Sequence, residues 1–169
     1  PLTLLRSACD RAPLPERLES IMGSHYNTIV VGSDGSKSSL LAVERAAKMA
    51  VAFNATLVIG TAYYKSEEDA SKALRQDSVT ILGDDQALKN LEAAADHARA
   101  AGATDVQTAT RPGTPVEALM AIVNDNKAEL LVVGNRGINS LTGRLLGSVP
   151  ADVARQSDCD VMIVHTVTE

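Results

Sequence analysis

The stretch ELLVVGNRGINSLTGRLLGSVP, residues 129–150, joins an apolar run to a loop that holds four glycines, two arginines and two serines. The run Leu130-Leu131-Val132-Val133 is apolar throughout, as is typical of a strand buried on both faces of a sheet. Glycine is costly to order. So many glycines after a buried strand therefore indicate a loop whose backbone needs unusual conformations or a close approach that side chains would block.

Strand-like and helix-like segments alternate along the rest of the chain. Apolar and alternating runs predict strands over residues 29–31, 56–62, 105–111 (at a sheet edge), 129–133 and 161–164. Apolar residues at spacings of three and four predict helices over residues 36–53, 85–101, from 114 onward, and 149–156. Residues 63–84 are polar and irregular, and we expect a loop or flap there.

The helical spacings also predict which side chains face the core. In the first helix these are Leu40, Val43, Ala47, Ala50 and Val51, and in the second Leu88, Leu91, Ala95 and Ala98. Gly102 is expected just beyond the second helix. Thr114-Pro115-Val116-Glu117 has the pattern of a capping box that opens the third.

Five strands alternating with four helices predict an α/β fold, with an open parallel sheet covered by helices on both faces. In such sheets ligands bind beyond the carboxyl ends of the strands, where the strand order reverses. The first strand ends at Gly32-Ser33-Asp34-Gly35 and the fourth at Gly134. If these strands are neighbours, both glycine-containing loops face one crevice.

The quoted loop has the spacing G-x2-G-x9-G-S, formed by Gly134, Gly137, Gly147 and Ser148. The first two glycines can expose backbone N–H groups, and the last two residues open a helix whose N-terminus attracts phosphate. The Ser148 hydroxyl either caps that helix or donates to the same phosphate. The alternative is an ordinary strand-to-helix connection. Neither G-x4-G-K-[ST] nor G-x-G-x-x-G occurs.

Asp34 has two open interpretations. In the crevice its carboxylate can accept from a ribose hydroxyl or an adenine amino group, or help to hold Mg²⁺. Alternatively, it caps the first helix together with Ser36. Thr61 and Ala62 are small and leave room for a flat base on an apolar wall.

Composition excludes several classes of function. The 169 residues suffice for one domain, the net charge is −5, and there is no basic run, so nucleic acid and anionic membranes are not expected partners. No apolar stretch approaches the roughly 20 residues of a spanning helix. Cys9 and Cys159 are far apart without nearby histidines, so we expect free thiols, no metal site and a reducing cytoplasm.

The first residues differ from the rest. They carry Pro13 and Pro15, mixed charges and no strand pattern, and they lack the apolar core of a signal peptide. We expect residues 1–24 to form a loosely attached arm or a non-native extension, and residues 25–169 to form the α/β domain.

The segments TIVVGSDGSKSSLLAVERAAKMA and ELLVVGNRGINSLTGRLLGSVPADVARQSDCDVMIVHT together resemble the universal stress protein family. The runs LLVVGN, GRLLGSVPA and DVMIVHT are most similar to its small single-domain mycobacterial and actinobacterial members, which bind cyclic AMP as well as ATP. The resemblance implies a Rossmann-like sheet of strand order 3-2-1-4-5, with an adenine pocket between the first and fourth strands.

Carried over by position, the resemblance implies four contacts on the base and ribose side, four around ribose and phosphate, and three at the phosphate. These are, in turn, Gly32, Ser33, Asp34 and Ala62; Val133, Gly134, Arg136 and Gly137; and Gly147, Ser148 and Val149. Arg136 departs from the small apolar residue of the closest cyclic-AMP binders and matches ATP-type loops. Cyclic AMP and ATP, the latter with Mg²⁺, therefore both stay open as ligands.

We interpret the chain as a binding module that senses or stores adenine nucleotide in the stress response, with at most slow ATP hydrolysis. Each of His25, His97 and His165 is expected to be structural or solvated, with His165 away from the glycine loop. The alternative is an adenylating enzyme of the ATP-pyrophosphatase type, because GSDGSKSS partly resembles S-G-G-x-D-S.

The predicted fifth strand also suggests self-association. Val161-Met162-Ile163-Val164 is uniformly apolar although it should lie at a sheet edge, and exposed apolar edges invite pairing. We expect a homodimer through this strand, as the resemblance also implies. The alternative is that the N-terminal arm covers it.

Overall fold

Five parallel strands form one sheet in the order β3-β2-β1-β4-β5. A computed structural model describes residues 26–73, 83–135 and 146–166. The strands are β1 Thr28–Gly32, β2 Thr56–Tyr63, β3 Val106–Pro112, β4 Leu130–Gly134 and β5 Asp160–Val164. The helices are α1 Lys37–Phe53, α2 Glu67–Ala73, α3 Asp84–Ala100, α4 Pro115–Asn126 and α5 Ser148–Gln156. The predicted fold class and strand order are confirmed.

Helices cover both faces of the sheet, and each face has its own core. In one core α1 and α3 pack on Ile29 and Val31 of β1. In the other core α4 and α5 pack on Val30, the residue between Ile29 and Val31. Successive side chains of a strand point to opposite faces. A continuous apolar run is therefore what burial on both faces requires, and β4 has the same character from Leu130 to Val133.

The two edge strands differ in character. β3 carries Gln107 and Thr108 exposed, and its Arg111 pairs with Asp125 of α4 at 2.7 Å. β5 is apolar from Val161 to Val164, and Ile163 keeps 38% of its surface exposed. One edge of the sheet is therefore polar and the other apolar.

Three sequence predictions are corrected by the structure. Residues 67–73, expected in a loop, form α2, whose start is favoured by Ser66 accepting from the Asp69 N–H at 3.1 Å and by three acidic residues in the first turn. Val51 and Leu88, expected in the core, are 53% and 48% exposed. Small alanines fill the helix–helix contact instead.

The helix ends follow the predicted chemistry more closely. Ser36 is the N-cap of α1 and accepts from the Ser39 N–H at 3.0 Å. Thr114 and Glu117 form the expected capping box at the start of α4. Gly102, just after α3, has a φ of +105°, a conformation that side chains disfavour.

Two glycines let α4 approach the carboxyl ends of the central strands. A Cβ at Gly60 would lie 2.9 Å from Ile122 Cδ1, and one at Gly32 would lie 3.1 Å from Leu119 Cδ1. Ile122 is completely buried, so its side chain has little room to move. The missing Cβ of Gly32 is therefore explained by packing.

A carboxylate holds the amino end of the central strands together. Glu129, directly before β4, accepts from the backbone N–H groups of Asn27 and Thr28 at 2.6 and 2.9 Å and from Asn27 Nδ2 at 2.8 Å. These bonds, led by that from Thr28, lower the pKa of Glu129. The interaction joins β4 to the start of β1.

No helix within residues 26–73, 83–135 and 146–166 is long and apolar enough to cross a bilayer.

Replacing Glu129 by Gln should destabilise the fold in a pH-dependent way. The pKa of Glu129 in the folded state lies below its unfolded value of about 4.3, so its contribution is present at neutral pH and is lost as the pH falls through the folded pKa. We expect a loss of about 1 kcal/mol at pH 7, or roughly 2–4 °C in Tm. Thermal unfolding followed by circular dichroism should show the difference shrinking below about pH 4.

Glu44→Gln is the matched control, because it removes the same charge from an exposed pair with Lys48 within α1. Such pairs contribute little. Equal effects of the two variants at pH 7 would contradict the proposed contribution of Glu129.

Replacing Gly60 by Ala should cost about 1–3 kcal/mol of stability, because the new methyl group overpacks the contact with Ile122. Ile122→Val removes the Cδ1 atom that the methyl group meets, so the double variant should be less destabilised than the sum of the two single variants. Urea unfolding of all three measures this coupling. Strict additivity would show that the Gly60–Ile122 contact does not limit the approach of α4.

Candidate functional site

The winding of the sheet reverses between β1 and β4. These strands pair in parallel, with Val31 opposite Val132, while β2 and β3 lie on one side and β5 on the other. The loops that follow β1 and β4 therefore leave the sheet side by side and run in opposite directions. This is the crevice in which open α/β sheets bind ligands.

The loop after β1 is held by hydroxyl groups. The Ser33 N–H donates to the Gly60 carbonyl at 2.9 Å, and its buried Oγ lies 3.1 Å from Ser39 Oγ. Asp34 Oδ1 accepts from the Ser36 N–H at 3.0 Å. Of the two interpretations of Asp34, the capping position belongs to Ser36, and Asp34 closes the turn before it. Within the described residues its second oxygen, Oδ2, has no hydrogen-bond donor.

Gly35 brings this loop against α3. Its φ is +79°, and a Cβ at this position would lie 2.7 Å from Asn90 Nδ2. Both observations explain a glycine here, since a side chain would be strained and would collide with α3.

Within the described residues, the N-terminus of α5 presents two backbone donors without an acceptor. The Gly147 N–H donates to the Asn135 carbonyl at 3.0 Å, and the first bond inside the helix runs from the Ala151 N–H to the Gly147 carbonyl at 3.2 Å. Pro150 has no N–H. Among the described residues, the N–H groups of Ser148 and Val149 have no acceptor, and the helix dipole adds partial positive charge there.

Of the two alternatives for the Ser148 hydroxyl, capping of its own helix is wrong. Gly147 is the N-cap of α5, with φ −63° and ψ 161°, and no side chain of the described residues caps the helix. Ser148 is the first helical residue, so its hydroxyl does not satisfy the free N–H groups of its own helix.

His165 lies next to the glycine loop, and the prediction that it lies away from it is wrong. Its Nδ1 is 3.3 Å from Nδ2 of Asn135, the residue after Gly134. The reason is register: Gly134 pairs with Val164 in the parallel ladder, so the residues that follow β4 and β5 meet. The sequence contains no signal of that register.

The remaining predicted residues are spread along the same edge. Val133 is 3% exposed and belongs to the α4–α5 core, whereas Gly134 is half-buried. Ala62 is half-buried at the end of β2, beside Thr61, which is 3% exposed. Arg136 and Gly137 lie outside the described residues.

A cleft of about 470 Å³ lies farther along this edge, between the ends of β2 and β3 and the starts of α2 and α4. Its lining includes Lys65, Thr114 and Glu117. The last two satisfy each other, since Thr114 Oγ1 donates to Glu117 Oε2 at 2.8 Å. None of the residues that line the cleft belongs to the loops after β1 and β4, so the cleft is separate from the β1–β4 crevice.

The perturbed ionisable groups lie elsewhere. The hydrogen bond from the Tyr26 hydroxyl to Asp160 raises the pKa of Tyr26, and Lys48 lowers the pKa of Glu44 on α1. Glu129 and Tyr26 both lie at the amino edge. In the described part of the chain, no group of three His, Cys, Asp or Glu side chains is arranged to hold a metal ion.

The chain matches known proteins over most of its length. The sequence pattern described as the universal stress protein family matches residues 25–165. Universal stress protein Rv1636 of Mycobacterium tuberculosis is 47% identical over 145 residues, which cover 85% of this chain and 99% of the relative.

Solved structures agree with this match. A universal stress protein in complex with cAMP is 47% identical, with a TM-score of 0.66, over 85% of this chain and 100% of that one. The universal stress protein of Archaeoglobus fulgidus in complex with dAMP is 18% identical, with a TM-score of 0.58, over 82% and 98%, and it shares the fold. The chain therefore belongs to the universal stress protein family.

Proposed function

We propose that this protein binds an adenine nucleotide in the crevice between β1 and β4, with a phosphate group at the N-terminus of α5. One observation carries the proposal: the N–H groups of Ser148 and Val149 have no acceptor within the described residues and open a helix beside the end of β4. An anion is the natural partner of such groups. The 47% identical structure in complex with cAMP supports an adenine nucleotide as the source of that anion.

The other end of the nucleotide would lie against the loop after β1. Asp34 Oδ2 is available to accept from a ribose hydroxyl or an adenine amino group. Gly32, Ser33 and Ala62 would line the base and ribose side. The residues proposed to surround ribose and phosphate are Val133, Gly134, Arg136 and Gly137, with Gly147 beside the phosphate.

The pocket is proposed to accept both cyclic AMP and ATP. A cyclic phosphodiester carries one negative charge, which two N–H donors and a helix dipole can satisfy. A triphosphate carries several charges and needs cations, from Mg²⁺ or from the arginines of the loop. We propose that the carboxylate of Asp34 contributes to holding such an ion.

We propose a sensor or store of nucleotide in the cytoplasm, with at most slow hydrolysis. Hydrolysis needs a positioned base. His165 faces Asn135, and His97 lies 3.9 Å from Glu44 on the α1–α3 surface. Absence of ADP, AMP and pyrophosphate above background after hours with ATP would support a nucleotide-binding protein. Release of more product molecules than there are protein molecules would favour an enzyme.

A homodimer through β5 is proposed on the character of its edge. Within the described residues β5 pairs with β4 alone, and Val161, Met162 and Ile163 are half-buried or exposed. An apolar strand with one free edge can pair with the same strand of a second copy.

Ser148→Pro should weaken nucleotide binding without unfolding α5. Proline suits the first helical position. Within the described residues the Ser148 N–H has no partner to lose, and Gly147 already has the extended ψ of 161° that a following proline requires. Removing an N–H that binds a phosphate should cost about tenfold or more in Kd. Titration calorimetry with cyclic AMP measures the loss.

Ser148→Ala is the matched control, since it removes the hydroxyl and keeps the N–H. It should weaken binding less than Ser148→Pro. If the two folded variants bind cyclic AMP equally tightly, the N-terminus of α5 is not the phosphate site. No heat from wild-type protein with adenosine, cyclic AMP, AMP or ATP, with and without Mg²⁺, would refute the proposed function.

Ile163→Lys should convert the dimer to a monomer, because it places a charge in the middle of the free edge of β5. Sedimentation velocity at micromolar concentration reports the change. Val51→Lys is the control, because Val51 is more exposed, at 53%, but lies on α1, and its replacement should leave the dimer intact. A monomeric wild-type protein would refute this assembly.

A further inference from the structure

Asn135 uses every hydrogen-bonding group that it has. Its N–H donates to the Val164 carbonyl at 2.8 Å, and its carbonyl accepts from the Gly147 N–H at 3.0 Å. Its side-chain Oδ1 accepts from the Thr166 N–H at 2.8 Å and from Thr166 Oγ1 at 2.9 Å. Its Nδ2 faces His165 Nδ1 at 3.3 Å.

These bonds join three parts of the molecule at one residue. Asn135 directly follows β4, and Gly147, the N-cap of α5, directly precedes the first residue of that helix. The hydrogen bond from the Gly147 N–H to the Asn135 carbonyl therefore joins the two ends of the segment between β4 and α5. Val164 is the last residue of β5, and Thr166 lies two residues beyond it.

Chemistry fixes the orientation of the side-chain amide. The Thr166 N–H can only donate, so the oxygen of the amide must face it and Nδ2 must face His165. An Nδ1 of His165 that carries no proton can accept from this Nδ2 at 3.3 Å. Thr166 is 6% exposed, and within the described residues its N–H donates to Asn135 Oδ1, so removing Asn135 would take the acceptor from a largely buried N–H.

We propose that Asn135 is a positioning residue for the phosphate end of the site, an inference that rests on the proposed function. The free N–H groups of Ser148 and Val149 follow Gly147, whose own N–H is held by the Asn135 carbonyl. The side chain in turn holds Asn135 to β5 through Thr166. Asn135 contacts no phosphate in this proposal and acts through the position of the α5 N-terminus.

The position of Asn135 allows a structural role to be separated from a positioning role. Glu129 directly precedes β4 and Asn135 directly follows it, and both are centres of several hydrogen bonds. Loss of either should lower stability. Of the two, only Asn135 is bonded to the N-cap of α5, through its backbone carbonyl. Its side chain holds that residue to β5 through Thr166, so only the loss of the Asn135 side chain should change how a phosphate is bound.

The test compares cyclic AMP with adenosine, which has the same base and ribose and no phosphate. By titration calorimetry, Asn135→Ala should weaken cyclic AMP by about tenfold and leave adenosine within about twofold. Glu129→Gln is the matched control, expected to lower Tm while changing neither affinity.

Thr166 provides a second route to the same question. Thr166→Val removes the Oγ1 donor and should weaken cyclic AMP less than Asn135→Ala, whereas Thr166→Ser retains a hydroxyl and should bind like wild type. The double variant Asn135→Ala/Thr166→Val should bind no more weakly than Asn135→Ala alone, because both changes break the same connection.

Each outcome decides the inference. Wild-type affinity of Asn135→Ala for both ligands, or equal losses for both, would overturn it and leave the proposed function intact. The inference would also be overturned if Glu129→Gln, which is expected to lower only the stability, weakened cyclic AMP binding as well. If Asn135→Ala does not fold, equal cyclic AMP affinities of Thr166→Val and Thr166→Ser overturn it. A wild-type protein that binds neither ligand refutes the proposed function, and this inference with it.

Discussion

The pairing of β1 with β4 is the constraint on which the rest of this structure depends. Because all five strands are parallel, their carboxyl ends lie at one edge, and because the winding reverses at this pair, the loop after β1 turns away from the loop after β4. The opening between these loops is a consequence of the order in which the strands are connected, and it does not depend on small side chains at that place. Continuous apolar runs such as Ile29-Val30-Val31 make the pairing possible, since each strand is buried on both faces.

The two ends of β4 are held by different chemistry, and each suits its partners. At the amino end the partners of the Glu129 side chain are N–H groups only, and a carboxylate, which only accepts, satisfies them. At the carboxyl end the Asn135 side chain meets the donors of Thr166 and the ring nitrogen of His165, which suits an amide because it can both accept and donate. A carboxylate at position 135 would also place negative charge beside the N-terminus of α5, where the proposed phosphate lies.

Sequence periodicity predicted the sheet and most of its helices because burial follows local pattern. It failed where a helix packs through small residues: Val51 and Leu88 continue the apolar spacing, yet alanines make the contact between α1 and α3. The glycine spacing led to Gly147 and Ser148, but not to the division of labour between them as N-cap and first helical residue. The contact between Asn135 and His165 could not be predicted from the sequence, because it depends on the register of β4 against β5. Register is a property of the assembled sheet. The glycine-containing loop after β1 drew attention to Gly32, whose missing Cβ is explained by packing against Leu119.

The unequal edges of the sheet limit how far it can grow. A strand that offers unpaired backbone and apolar side chains is adhesive, and two such edges on one molecule would let copies add end to end into a fibre. Here β3 is protected by polar side chains and by Pro112, which has no N–H to offer at the end of the strand. In the proposed dimer the β5 edges of two copies cover each other, and no free apolar edge of this kind would be left among the described strands, so polymerisation would stop at its first step.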